Sequence, residues 1–257
     1  MIKIKLWKLA LLLIFSINIF IFQNASANNI NVAVASNFVN PFREIATQFE
    51  KETNNSVKII SGSTGKLYAQ IINGAPFEFF LAADQKCPLM LEKNGYAIVG
   101  TRFTYALGKI SLWSMDSKAI PKNGEAMLRG KNFNHIAIAN PKTAPYGKAA
   151  LQTMQKLGVW TGIQDLIVQG ENINQTFQFI ASQNAELGFV ALSQILDPKN
   201  QLKGKRWDVP INFYDPIKQD SVILKLGNKN TAVKILSKFL KSKKVTNIIQ
   251  KYGYELP

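Results

Sequence analysis

Apolar positions along the chain follow two periods. Short apolar runs at 31–35, 57–60 and 77–82 read as buried strands. Between the first two, Phe42, Ile45, Ala46 and Phe49 recur at helical spacing, with Arg43, Glu44, Gln48 and Glu50 filling the polar face. Pro41 suits the first turn of that helix, and Asn54-Asn55 ends it. A second helix is predicted over 67–72, stopping at Asn73-Gly74, and a third begins at Asp84 and stops at Gly95. The order is β-α-β-α-β-α, the pattern of a mainly parallel sheet with helices on both faces.

A long extended stretch over 103–113 interrupts this rhythm, and a short helix over 125–128 follows. Strands at 136–139, 166–168 and 188–192 then alternate with helices over 148–157 and through Ile173, Phe177 and Ile180. A last strand over 220–226 precedes a helix built on Ala232, Val233, Ile235, Leu236, Phe239 and Leu240, and another over 245–251. Two βα series of similar design predict two lobes, with extended crossings near 105–112 and 219–226 and a cleft between them. Residues 28–108 with 222–257 are expected in the first lobe, the last helices returning to it, and 109–221 in the second.

The first residues obey a different rule. Lys3, Lys5 and Lys8 precede an apolar run over 9–22, and Ala25-Ser26-Ala27 fits the small-x-small cleavage site, so 1–27 reads as a cleaved signal peptide of an exported protein. The formal net charge is +15, but the lysines are spread along the chain, without basic–aromatic interleaving. With export, this excludes a nucleic-acid partner; the cluster Lys238, Lys241, Lys243 and Lys244 reads as a solvated helix face. Cys87 is the single cysteine and His135 the single histidine. An internal disulfide and a Cys/His metal cluster are therefore both ruled out. Cys87 has no obvious base, and paired catalytic carboxylates and G-x-S-x-G are absent, so the residues supply binding rather than turnover.

What recurs is the strand-to-helix turn. Ser36-Asn37 stands at the first, Ser63-Thr64 at the second, Thr143 to Tyr146 at the third and Glu171-Asn172-Ile173 at the fourth. Helix N-termini carry N–H groups without intrahelical partners and a positive dipole end, so an anion is their natural guest. In open α/β sheets ligands bind at the carboxyl ends of strands, where four such turns from two lobes can converge. The plain alternative for Ser63-Thr64 is a helix cap. The surrounding Ser61-Gly62-Ser63-Thr64-Gly65-Lys66 is not a P-loop, because Ile60 stands where that motif needs glycine.

These motifs resemble those of the molybdate-binding periplasmic proteins of ABC transporters. Ala33-Val34-Ala35-Ser36-Asn37-Phe38 is similar to their opening A-A-S/T-N-F motif, and Ser61 to Ile71 to their G-S-S/T-G-x-L-x-x-Q-I element. Gly74-Ala75-Pro76 with Phe80-Leu81-Ala82-Ala83-Asp84 is similar to their G-A-P…F-x-S/A-A-D element; Asn140-Pro141, Ala144 to Ala150 and Gly188 to Gln194 also fit, in order along nearly the whole mature chain. The resemblance implies a type II periplasmic-binding-protein fold. Each lobe would be a mixed, mainly parallel sheet flanked by helices, the two joined by a two-strand hinge. It implies a monomer in the periplasm that binds molybdate and tungstate without a cofactor and delivers them to a membrane permease. By carry-over, Ser36 and Asn37 supply donors from the first turn, Thr64 or else Ser63 from the second, Tyr146 from the third, and the backbone N–H of Ile173 from the fourth. Some members place a tyrosine where this chain has Ala191; Tyr146 is expected to take over. Glu78 and Cys87 depart from the family pattern away from these turns, and Lys66 is expected in solvent or at the rim. The rival readings are the same fold with sulfate or phosphate as ligand, and an exported α/β enzyme.

Overall fold

The computed structural model describes residues 28–116, 120 and 123–257. The leader read over 1–27 lies outside the described residues.

The first half runs β1 (Asn29–Ala35), a 3₁₀ turn (Ser36–Phe38), α1 (Val39–Thr53), β2 (Ser56–Gly62), α2 (Thr64–Ile72), β3 (Phe79–Leu81), α3 (Lys86–Lys93) and β4 (Phe103–Gly108). The second runs β5 (Ile110–Ser114), α4 (Gly124–Gly130), β6 (Ile136–Ala139), α5 (Pro145–Lys156), β7 (Ile167–Gly170), α6 (Ile173–Ala181), β8 (Leu187–Ala191), α7 (Leu192–Ile195) and β9 (Lys205–Asp208). The chain closes with β10 (Ile217–Ile223), α8 (Thr231–Phe239) and α9 (Lys243–Lys251).

Two five-stranded sheets result, ordered β2-β1-β3-β10-β4 and β7-β6-β8-β5-β9. In each, three strands are parallel, and a strand antiparallel to its neighbours follows them: β10 between β3 and β4, β5 between β8 and β9. The protein is thus a two-lobed α/β fold. The extended run at 103–113 is two strands in two sheets, and the chain changes lobe across Lys109. The final strand starts earlier and stops earlier than its apolar pattern implies, because Leu224 leaves the ladder and a 3₁₀ turn takes Lys225–Lys229. The expected lobe boundary between Ser221 and Val222 falls inside β10, which lies in the first sheet along its whole length. Charged β9 (Lys-Arg-Trp-Asp) is a strand the apolar pattern did not signal; as an edge strand it needs little apolar content.

The helix faces pack as their spacing predicts. Phe42, Ile45 and Phe49 of α1 are fully buried in one cluster with Leu236 of α8 and Val245 and Ile249 of α9. Asn54 ends α1 in the left-handed conformation at φ 57°, which asparagine tolerates. On the opposite face of that sheet Leu67, Phe80, Leu91 and Val222 form a second layer. The second lobe is built on Ile110, Leu112, Ile138 and Phe189, and on its other face Trp113 stacks on Phe177 at 4.8 Å. Among the described residues no helix is long and apolar enough to cross a membrane.

Candidate functional site

The carboxyl ends of β1, β2, β6 and β7 point their following turns into one small cavity between the lobes. It is lined by Ser36, Asn37, Ser63, Thr64, Tyr146 and Ile173, with Ala35, Ala83, Ala144 and Pro145 closing the gaps. All six residues singled out in the sequence meet there, each buried. The cavity is narrow, with a volume of about 10 Å³, room for about one water-sized group. That is far below drug-sized ligand pockets of roughly 300–1,000 Å³. Among the described residues no charged side chain lines it.

Each turn delivers helix-terminal N–H groups. The Ser36–Phe38 turn leads directly into α1, Thr64 opens α2, Pro145 opens α5 and Ile173 opens α6. Proline has no N–H to lose at such a position, so Tyr146 supplies the first N–H of α5. Asn172 caps α6 conventionally, its Oδ1 accepting the Asn174 and Gln175 N–H bonds, which leaves the Ile173 N–H outside the cap.

Ser63 sits at the N-cap position of α2 but makes no capping bond. Its Oγ is buried and has no hydrogen-bond partner among the described residues. The cap reading therefore fails for this serine. Thr64 Oγ1 accepts a 2.9 Å bond from the Ala83 N–H, which uses a lone pair and leaves its own O–H able to donate. The two hydroxyls differ in that Ser63 Oγ has no partner among the described residues, and both remain available as donors to the cavity.

The side chain of Asn37 is engaged. Its Nδ2 donates to Gln219 Oε1 at 2.8 Å and to Tyr254 Oη at 3.0 Å, which uses both amide hydrogens. The backbone carbonyl of Asn37 accepts from Tyr254 Oη at 2.8 Å and Ser193 Oγ at 3.3 Å. The Tyr146 hydroxyl accepts a 3.4 Å bond from Gln219 Nε2. So Asn37 and Tyr146 face the cavity while the Asn37 amide nitrogen and the Tyr146 hydroxyl are tied to a buried network behind it. Burial, foremost, and then the neighbouring tyrosines hold the phenols of Tyr105 and Tyr146 far above the ordinary tyrosine range. Burial likewise pushes Tyr254 up to about 12. All three stay neutral donors at physiological pH. Sequence reading missed Gln219 and Tyr254, because their partners lie up to 217 residues away and no local motif marks them. It gave Ser193 no role, although that residue stands in the Gly188 to Gln194 element.

The lobes touch at the rim. The Gly65 N–H donates to the Thr143 carbonyl at 2.8 Å, and Asn40 Nδ2 donates to Asp197 Oδ2 at 2.7 Å. Lys66, expected in solvent or at the rim, pairs across the cleft with Glu171. The remaining chemical candidates lie elsewhere. His135 is exposed beside Glu186 on the second lobe. Cys87 is half-buried, and burial, then the Asp84 carboxylate, pushes its thiol up, which favours the neutral form over the thiolate. The four C-terminal lysines are solvent-exposed as expected. Glu78 is structural, accepting from the Asn31 N–H and from Asn230 Nδ2. Among the described residues no group of His, Cys, Asp and Glu could hold a metal ion.

Comparison with known proteins agrees with this architecture. The family described as bacterial extracellular solute-binding protein matches residues 30–255. The chain is 49% identical over 232 residues to the molybdate-binding protein ModA of Azotobacter vinelandii, covering 90% of this chain and 92% of that one. It is 44% identical over 230 residues to the molybdate-binding protein ModA of Rhodobacter capsulatus, covering 90% and 89%. Among solved structures, a periplasmic molybdate-binding protein of Azotobacter vinelandii superposes with a TM-score of 0.85 at 40% identity, over 89% of this chain and 99% of that one.

Proposed function

The chain belongs to the bacterial extracellular solute-binding protein family, and on that premise we propose that it captures molybdate between its lobes for delivery to the membrane permease of an ABC transporter. Tungstate, of the same charge and shape and nearly the same size, is the second ligand. The protein acts in the periplasm after loss of residues 1–27, as a monomer, and as a carrier rather than an enzyme. The names of its relatives support this reading. The observation that carries it is the lining: four helix N-termini and the unpartnered Ser63 hydroxyl meet in a buried cavity with no charged side chain among the described residues.

The physics of such a site is specific. A buried dianion loses its hydration, and only fixed donors can replace it. Backbone N–H groups at helix starts are fixed before the ligand arrives and carry partial positive charge. No lysine is needed inside the cage, and none has to be desolvated. We assign the donors as the N–H groups of the Ser36–Asn37 turn, the Ser63 hydroxyl with Thr64 beside it, and the N–H groups of Tyr146 and Ile173. The lobes divide, in this reading, near Lys109 and again between β9 and β10, and closure about those crossings completes the cage. Size then selects the ligand: donors set for a larger tetrahedral oxyanion leave sulfate with stretched bonds.

Titration calorimetry of the mature protein with molybdate, tungstate, sulfate and phosphate tests this. Tight, one-to-one binding of the first two and weak binding of the others is the expected result. Tight sulfate binding with none of molybdate would overturn the ligand assignment and leave the fold's general role standing.

A further inference from the structure

Gln219 is completely buried on β10, the strand by which the chain re-enters the first lobe. Its amide has partners at both ends. Oε1 accepts from Asn37 Nδ2 at 2.8 Å and from the Tyr105 hydroxyl at 3.3 Å, and Nε2 donates to the Tyr146 hydroxyl at 3.4 Å. One side chain therefore touches a residue of the first lobe's cavity turn and a residue of the second lobe's.

The backbone is shaped for this contact. The β4–β10 ladder shifts register between Gln219 and Asp220: Gln219 opposes Ala106 and Asp220 opposes Thr104, which leaves Tyr105 unopposed. A β-bulge of this kind re-aims side chains at a sheet edge. Gly108 ends β4 where any Cβ would collide with Tyr146 Oη and crowd Gln219 Nε2, so only glycine leaves room for the amide–phenol contact. Tyr254 supports the same group from the C-terminal tail, reaching the Asn37 carbonyl and, at 2.9 Å, Ser193 Oγ of the second lobe.

We infer that Gln219 is a positioning residue that couples the Ser36–Asn37 turn to the Tyr146 turn, so that each lobe's donors reach binding geometry only when both are tied to the crossing strand. This rests on the proposed role of the cavity as an oxyanion cage. Gln219 touches no ligand. It uses up the Asn37 amide hydrogens together with Tyr254 and anchors Tyr146, which leaves the peptide N–H groups of both turns as the cavity's donors. A leucine of similar volume would leave Asn37 Nδ2 and the Tyr146 hydroxyl short of a partner in a dry interior, and the two turns would relax independently.

The test uses the full mature chain, wild type, Gln219→Leu and Gln219→Glu. Molybdate affinity is measured by calorimetry, closure by small-angle scattering with and without molybdate, and stability by thermal unfolding without ligand. Gln219→Leu should lose at least roughly tenfold in affinity, the equivalent of one lost buried hydrogen bond, and should not compact at a concentration that closes wild type. Gln219→Glu adds a readout that a purely structural role does not move. A protonated glutamic acid has one donor and one acceptor end, like the amide it replaces. Burial raises its pKa, and Tyr105, Tyr146 and Tyr254 facing it keep their protons. Asp220, next in the strand, is paired with Arg102. Affinity of Gln219→Glu should therefore recover as the pH falls from about 8 to about 6, while wild type stays level. If Gln219→Leu does not fold, this pH profile decides alone. Wild-type affinity in the variants, or a flat profile for Gln219→Glu, would overturn the inference. A wild type that binds no molybdate would mean the functional reading has failed, and the coupling with it.

Discussion

The Gly65 N–H of the first lobe donates a 2.8 Å hydrogen bond to the Thr143 carbonyl of the second. Backbone meets backbone here, at the rim of the cavity. A Cβ on Gly65 would stand 3.1 Å from both Thr143 Cα and its carbonyl oxygen, tighter than ordinary contact. Gly65 also lies in the first turn of α2, where alanine is the better helix former by roughly 0.5–1 kcal/mol. Gly65→Ala therefore has opposite effects on two measurements. Thermal stability of the ligand-free protein holds or rises slightly. Molybdate affinity falls several-fold, because the lobes no longer close to the same distance. An unchanged affinity would mean that the lobes can close without this contact.

Ser63→Ala separates a capping serine from a ligand-binding one. Loss of a true cap costs about 1 kcal/mol of stability. Ser63 Oγ makes no such bond and is buried without a partner among the described residues, so its removal should leave the unfolding midpoint unchanged or raise it. Hydrogen bonds to charged groups are worth about 1.5–3 kcal/mol, so molybdate affinity should fall about 10- to 100-fold. Thr64→Val, which keeps the shape and removes the oxygen that accepts the Ala83 N–H, should reduce stability as well as affinity. Equal stability losses in both variants would contradict the distinction drawn here between the two hydroxyls.

These two neighbours show where sequence reading stops. The turn was legible because a strand, a glycine-flanked hydroxyl pair and a helix leave a local pattern. The four turns could be listed because βα alternation puts strand ends on one side of a sheet. That Thr64 holds the Ala83 N–H while Ser63 has no partner among the described residues was not legible, because Ala83 comes from the turn after β3, 19 residues away. Gln219 was hidden for the same reason. In Ile217–Ile223 it reads as one polar position among several, and only the bulge opposite Tyr105 reveals what it does. The crossing expected near 105–112, with a boundary between 108 and 109, lies in an extended run that breaks at Lys109 between β4 and β5. What periodicity did not register was that the second crossing precedes β10 rather than falling within it.

Lys66 and Glu171 pair across the cleft with about half of each side chain exposed, at 51% and 54%. Exposed pairs are worth roughly 0.2–1 kcal/mol and are screened by salt. Lys66→Ala should accordingly speed molybdate release by at most about fivefold at low ionic strength. The difference from wild type should vanish as salt approaches about 1 M, where the Debye length is about 3 Å. Stopped-flow release at two salt concentrations checks this. A salt-independent effect, or one of a hundredfold, would instead place the Lys66 ammonium in direct contact with the anion.

The buried tyrosines fix the direction of the alkaline response. Tyr105, Tyr146 and Tyr254 are all raised above their ordinary value, chiefly by burial, Tyr254 to about 12. An unfolded tyrosine ionises near pH 10. A raised pKa means the fold favours the neutral phenol, so this stabilisation is fully present below about pH 10 and is lost as pH rises toward and through the folded values. The unfolded chain releases its protons first, so above about pH 10 stability falls by up to about 1.4 kcal/mol per pH unit for each such group. Denaturant unfolding between pH 7 and pH 11 should therefore show little contribution from these phenols up to about pH 9 and a steep decline beyond about pH 10. Tyr254→Phe should be less stable at neutral pH, since the Asn37 carbonyl and Ser193 Oγ lose a partner, yet decline less steeply in alkali because one ionising phenol is gone. Equal slopes for the two proteins would show that Tyr254 is not held neutral by the fold. Molybdate binding should persist to the edge of the decline, because the phenols behind the cavity keep their protons, and so the Asn37 and Tyr146 turns keep their supports, as long as the protein stays folded.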